Sequence, residues 1–183
     1  MASETLRAAV NSTFEDLALP YLNELFRTAV HCMRNREAAE DCVQETYLQA
    51  QKSFHRFEVG TNCRAWLFKI LMHVIQHHRR KWFRLCPADM DVILGTTPAP
   101  EAVRHDLADE DILAALESLP QSFRDVVLLT DVHEFSYREV AEMLGVPIGT
   151  VMSRLSRGRA LLRNQLSARF PEFIPSSTVA AAV

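Results

Sequence analysis

Residues 136–163 read SYREVAEMLGVPIGTVMSRLSRGRALLR, two helices around a tight turn. Ser136 is placed to cap the first helix, and Glu139 three residues later completes a capping-box pattern. Val140, Ala141 and Leu144 recur at helical spacing on one face. Gly145 supplies the permissive backbone of a sharp stop. Pro147 stands where a first helical residue belongs, so a second helix starts there. In that helix Val151, Leu155, Ala160 and Leu162 can face inward. Thr150, Ser153, Arg154 and Arg157 then face outward. This is a helix-turn-helix pattern whose second helix suits a major groove. Arg154, Arg157, Arg159 and Arg163 suit phosphates and guanine edges. The plainer alternative is a helical hairpin with a solvated basic face.

Working back from this motif, Arg124 to Asp131 starts a further helix carrying Val126, Val127, Leu128 and Leu129, after a turn at LPQSF. Before it, Ile112, Leu113, Ala115, Leu116 and Leu119 are periodic from Asp111. The stretch PADMDVILGTTPAPEAVRHD, beginning at Pro87, contains three prolines and a glycine and reads as an extended linker. Nearer the N-terminus lies a three-helix unit. Phe14 to about Arg34 carries Leu17, Leu19, Leu22, Leu25, Phe26, Ala29 and Val30 as an apolar stripe, and Asn35–Arg36 breaks it. Glu37 to Phe54 turns Ala38, Ala39, Cys42, Val43, Tyr47 and Leu48 inward. Cys63 to about Arg84 buries Leu67, Ile70, Leu71, Val74 and Ile75. The expected class is all-α: two small helical domains joined by a flexible acidic linker, with boundaries 10–85, 86–110 and 111–170. The tail 171–183 is expected to be disordered.

The formal net charge of −3 over 183 residues hides a segregation. Arg64 to Arg84 holds six basic residues and no acid, and Arg154 to Arg169 holds five arginines and no acid. Between them, Leu85 to Asp111 holds seven acids against Arg104 alone. Two basic segments suggest two contacts with nucleic acid, and the acidic linker avoids or mimics it. Cys32, Cys42, Cys63 and Cys86 form no CxxC pair and no zinc spacing, so reduced, mostly buried thiols are expected. With no signal-peptide pattern and no run of membrane-spanning length, a cytoplasmic protein without membrane insertion is expected.

Two stretches carry a family resemblance. EDCVQETYLQAQKSFHRF (Glu40 to Phe57) with RAWLFKILMHVIQHHRRK (Arg64 to Lys81) is the first. LESLPQSFRDVVLLTDVHEFSYREVAEMLGVPIGTVMSRLSRGRALL is the second. Both resemble the extracytoplasmic-function (ECF) group of bacterial RNA polymerase sigma factors, over about Phe14 to Leu166. The resemblance implies an alternative sigma factor that is not an enzyme and has no cofactor. Its partners would be core RNA polymerase (the β′ coiled coil, and β), promoter DNA and an anti-sigma factor. By motif match Asp41, Gln44 and Glu45 would dock on the β′ coiled coil, where a polar and acidic helix face makes charge-assisted contacts.

The third helix presents Trp66, Lys69, His73, Gln76, His77 and Arg80 opposite its apolar stripe. Rings that stack on bases and cations that follow phosphates suit a melted strand. The resemblance implies that this helix, with Phe57 and Asn62 of the preceding loop, opens and holds the −10 element as a single strand. A flipped base would sit within Phe54 to Cys63. The family commonly has asparagine where this chain has His73; imidazole still donates and accepts hydrogen bonds. His73 and His77, one turn apart, could also hold a metal, although no third ligand is evident. Thr150, Ser153, Arg154 and Arg157 would read the duplex −35 element, with Arg159 and Arg163 on phosphates or solvent. Asp89, Asp91 and Glu101 of the linker would mimic nucleic acid in a polymerase channel. Two other readings remain at this level: a DNA-binding regulator that works without polymerase, and an enzyme, for which no nucleophile–base pair or phosphate loop is found.

Overall fold

The structure is a computed structural model and describes residues 13–58, 60–85 and 107–169. The leader, most of the linker with Cys86, Asp89, Asp91 and Glu101, and the tail expected to be disordered lie outside the described residues. Helix α1 (Phe14–Ala18) opens with a capping box between Thr13 and Asp16. A helical turn at Leu19–Tyr21 follows, with Pro20 inside it. Proline lacks the donor an α-helix needs there and clashes with the preceding turn. The single long helix expected from periodicity is therefore broken, and Leu19 and Leu22 are exposed rather than buried. Helix α2 (Leu22–Met33) ends at Arg34, which takes a left-handed conformation. Asn35 then caps α3 (Arg36–Ser53), its side-chain oxygen accepting from the Ala38 amide at 2.9 Å. After a short turn at Phe54–Arg56, Asn62 starts α4 (Cys63–Leu85) by accepting from the Ala65 amide at 3.0 Å.

α3 packs on both α2 and α4. Ala29, Ala39, Cys42 and Ala50 are fully or nearly fully buried, and such small side chains let helix backbones approach closely. Leu25, Leu67, Leu71 and Ile75 fill the space around them with no exposed surface. The Tyr47 hydroxyl donates to the Ala18 carbonyl at 2.8 Å and ties α1 to α3. Leu48, expected inside, is half exposed. Thr46 takes an inward position instead, its hydroxyl satisfied by the Cys42 carbonyl at 2.7 Å.

The C-terminal unit comprises α5 (Leu107–Ser118), α6 (Gln121–Val127), α7 (Tyr137–Leu144) and α8 (Ile148–Arg169). α5 begins ahead of the expected boundary at 111. α6 begins within LPQSF, with Pro120 at its cap position, so only part of that segment is a turn. α6 is followed by a π-helical turn, Leu128–Val132, where His133 donates its amide to the Leu128 carbonyl at 3.0 Å. The widened turn and the left-handed Glu134 redirect the chain so that His133 and Phe135 are both buried.

The expected cap and stop of α7 are present. Ser136 and Glu139 form the capping box, and Gly145 is left-handed at φ 65°. Pro147 lies just outside α8 and its carbonyl accepts from the Thr150 amide at 2.8 Å. Along α8 the inward face is Val151, Leu155 and Gly158, while Ala160, expected inward, is exposed. A Cβ on Gly158 would meet Val127 Cγ2 at 2.9 Å, so glycine permits the close crossing of α6 and α8.

The two units also pack on each other, which their separation by an acidic linker did not predict. α4 lies against α7, and α2 against α6. Phe68 is fully buried against His133 and Phe135 of the other unit, and Met72 is fully buried as well, although only one face of α4 was expected to be inside.

Candidate nucleic-acid interface

The outward face of α8 carries Thr150, Ser153, Arg154 and Arg157 on one strip, with Met152 half exposed beside them. Ser153 and Arg157 are exposed, and Thr150 and Arg154 are half-buried. The Ser153 hydroxyl donates to the Thr150 carbonyl at 3.1 Å. Arg159 is spoken for, bonding Asp131 through two nitrogens at 2.6 and 3.0 Å. Among the described residues Arg154 and Arg157 take part in no ion pair. Two guanidiniums at the front of an accessible helix are free to meet phosphates or base edges.

The N-terminal unit offers two surfaces. On α3, Asp41 and Gln44 are exposed, and Glu45 is half-buried and accepts from Gln49 Nε2 at 2.8 Å. Leu48 lies one turn further along the same face, an apolar neighbour to three polar groups that hydrophobic patterning had placed in the core. On the other side, the loop before α4 turns at Gly60, whose φ of 100° favours glycine. It brings Phe57 to 4.8 Å from Trp66, with Phe54 stacked at 5.9 Å from Phe57. Phe54 was not among the expected site residues. Its place in FHRF, three residues before Phe57, was the signal available. This half-exposed aromatic wall can stack on bases.

Along α4 the expected strip divides. Lys69, His73, His77 and Arg80 are exposed. Asn62, Lys69 and Gln76 reach across to α7: Asn62 Nδ2 donates to Glu139 at 3.4 Å, Lys69 Nζ to Glu142 at 3.4 Å, and Gln76 Nε2 to the Leu144 carbonyl at 3.1 Å. His73 and His77 line an open groove with Glu45, Gln49, Val74 and His78. Among the described residues no three His, Cys, Asp or Glu side chains converge as a metal ion needs.

A partly buried polar network beneath the strip was not expected from sequence. Arg64 donates to both Glu24 carboxylate oxygens and, at 3.0 Å, to the His133 carbonyl. The His133 ring places Nδ1 2.9 Å from Glu24 and Nε2 2.8 Å from the Thr28 hydroxyl. Burial pushes the imidazole below its ordinary value, against the pull of Glu24. A neutral ring with its proton on Nδ1 donates to Glu24, while the single Thr28 hydroxyl proton is shared between Nε2 and the Glu24 main-chain carbonyl, which lies 2.8 Å away. Burial raises the Glu24 carboxyl, but the Arg64 hydrogen bonds and charge, together with His133, outweigh it and hold it below the carboxylate range. Deeper still, Arg79 bonds Asp125 at 2.6 and 3.1 Å and the Cys32 carbonyl at 2.6 Å. Burial lowers the Arg79 value, yet Asp125 more than restores it. Cys32, Cys42 and Cys63 are free and buried. Burial pushes all three thiols up, Cys42 to about 11, which keeps them protonated and unreactive at neutral pH.

The sequence matches two family models, "Sigma-70 region 2" over residues 17–84 and "Sigma-70, region 4" over residues 109–162. It is 33% identical over 176 residues to the ECF RNA polymerase sigma factor EcfG of Rhodopseudomonas palustris, covering 95% of this chain and 97% of that one. It is also 33% identical over 174 residues to the ECF RNA polymerase sigma factor SigE of Mycolicibacterium smegmatis, covering 92% of this chain and 67% of that one. The fold is similar to that of the sigma factor RpoE of Bartonella quintana, solved with the anti-sigma factor NepR. The TM-score is 0.73 with 33% identity, over 84% of this chain and 96% of that one. With both regions in family order and a basic helix-turn-helix behind them, the chain belongs to the ECF sigma factors of the sigma-70 family, initiation factors rather than enzymes, which bind core RNA polymerase and direct it to promoters.

Proposed function

We propose that the two units divide promoter recognition between them, in the cytoplasm. Thr150, Ser153, Arg154 and Arg157 of α8 read the −35 element as duplex, and the observation that carries this assignment is that these side chains share the outward strip of α8 while, among the described residues, Arg154 and Arg157 form no ion pair. Phe57, Asn62, Trp66, Lys69, His73, His77 and Arg80 hold the −10 strand. The Phe54–Phe57–Trp66 wall supports stacking, and the exposed cations support contact with the backbone. Asp41, Gln44 and Glu45 dock on the polymerase β′ coiled coil. Exposed Leu48 on the same face supports this, since such contacts combine apolar anchors with polar rims. An anti-sigma factor holds the chain inactive; the structural relative solved with NepR supports that reading.

The test is co-elution with bacterial core polymerase, followed by binding to duplex promoter DNA. Asp41→Ala with Gln44→Ala should abolish co-elution and leave helicity unchanged. Arg154→Ala with Arg157→Ala should retain core binding and lose duplex affinity. If the α3 variant co-eluted like the natural chain, the docking assignment would be wrong.

A further inference from the structure

The outward side of α8 has two edges of different chemistry. At about 3.6 residues per turn, Arg154 and Arg157 fall on one edge and Ile148 and Met152 on the other. Gly149, Ser153, Ser156 and Ala160 lie exposed between them. A single exposed aliphatic side chain is ordinary. Here two large ones stand one turn apart, Ile148 at 49% and Met152 at 52% exposure, among small, hydroxyl-bearing and cationic neighbours. Arg159 follows on the same edge, and Asp131 takes up its charge. One edge is therefore cationic and the other apolar. The major groove offers a match to each: acceptors on guanine for arginine, and the C5-methyl of thymine for an aliphatic side chain. Gly149 is a second, independent observation. Nothing lies within 4 Å of where its Cβ would stand, and its backbone is not left-handed. The chain's own packing and conformation thus do not call for glycine there, as they do at Gly158 and Gly145. A bare backbone suits close approach by another molecule. Gly149 sits in the end of the recognition helix that contacts base edges in helix-turn-helix proteins.

We propose that Ile148 and Met152 form a thymine-reading edge. Their side chains pack on C5-methyl groups of the −35 duplex, while Gly149 lets the first turn of α8 come close. Burial against a methyl group removes aliphatic surface from water, and the flexible thioether of Met152 adapts to its position. Arg154 and Arg157 serve guanine or phosphate on the opposite edge, so the two edges divide the element by base type. The inference rests on the −35 reading of α8.

The experiment uses the full chain bound to bacterial core polymerase, and a promoter duplex that this complex selects from a random pool. Each thymine of the −35 element is replaced in turn by uracil, which lacks only the methyl group. Competition binding gives the affinity. The natural chain should bind the uracil duplex about three- to fivefold more weakly at one or more positions. Met152→Ala should lose a similar factor on the thymine duplex and stop distinguishing uracil at its own position. Ile148→Ala should do the same at a neighbouring one. Both side chains are exposed, so helicity and the urea midpoint should be unchanged. Gly149→Ala, for which the fold has room, should weaken thymine and uracil duplexes alike. Equal binding of thymine and uracil duplexes at every position by the natural chain, or selection of an element without an A·T pair, would overturn the proposal. So would a Met152→Ala chain that loses affinity for core and keeps the discrimination, which would assign this edge to polymerase. Arg157→Ala separates the two ideas. If it leaves duplex affinity unchanged, the −35 reading of α8 fails; if it weakens binding while the natural chain ignores the methyl groups, only the thymine edge fails.

Discussion

His133 sits among charges from both units. Glu24 and Thr28 of α2 and Arg64 and Phe68 of α4 face it, with Phe135 beside it and His31 close enough to repel its proton. Its value is lowered from 6.5, so any state that exposes the ring binds more protons than the closed one. Stability is therefore fully present above about pH 6.5 and declines as pH falls through that value. Glu24, lowered from 4.5, acts in the same direction at lower pH. The thermal midpoint should fall between about pH 7.5 and 5.5. His133→Gln should flatten that slope, and an unchanged slope would show that the ring is not the titrating group. Gly158 gives a second residue-level prediction. Alanine gains about 1 kcal/mol in helix propensity, but its Cβ would strike the stiff, buried Val127. Overpacking of this kind costs about 1–3 kcal/mol, so Gly158→Ala should lower stability by about 1 kcal/mol in urea titration.

At the scale of elements, α8 is the clearest case. Arg154→Ala or Arg157→Ala should each cost about 1–3 kcal/mol of −35 affinity, roughly 5- to 150-fold, if the side chain meets a base. If it meets only phosphate, the loss is uniform across sequences and the salt slope falls by about one. Duplex titration at two salt concentrations tells these apart. Arg159→Ala should change little, because its exposed pair with Asp131 is worth about 0–1 kcal/mol. Helices, caps and stops were legible because they are local: Ser136 and Glu139 are three residues apart, and Gly145 answers to its own backbone. Exposure was less legible. Leu19, Leu22 and Leu48 match a helical stripe, but Pro20 breaks the first helix and Leu48 lies outside the packed face of α3. The candidate strip on α4 was readable from type and spacing, whereas its engagement by α7 depends on residues more than 60 positions away.

At the scale of the whole molecule, the closed packing joins Glu24 to His133 and Arg79 to Asp125, pairs separated by 109 and 46 positions. No local pattern specifies such partners. The burial of Phe68 on a second face of α4, against His133 and Phe135, follows from that packing. Phe68→Ala should cost about 3–5 kcal/mol, like other buried aromatic truncations, and should loosen both units together rather than one. Calorimetry would show a single lowered transition; two separated transitions would mean that the units fold independently. The family assignment and the polar face of α3 meet in one function, promoter-directed initiation by core polymerase. Run-off transcription with purified chain, bacterial core polymerase and a pool of promoter fragments measures it most directly. The account predicts initiation from a specific subset, lost with Asp41→Ala and Gln44→Ala. Specific duplex binding without any core-dependent initiation would contradict it.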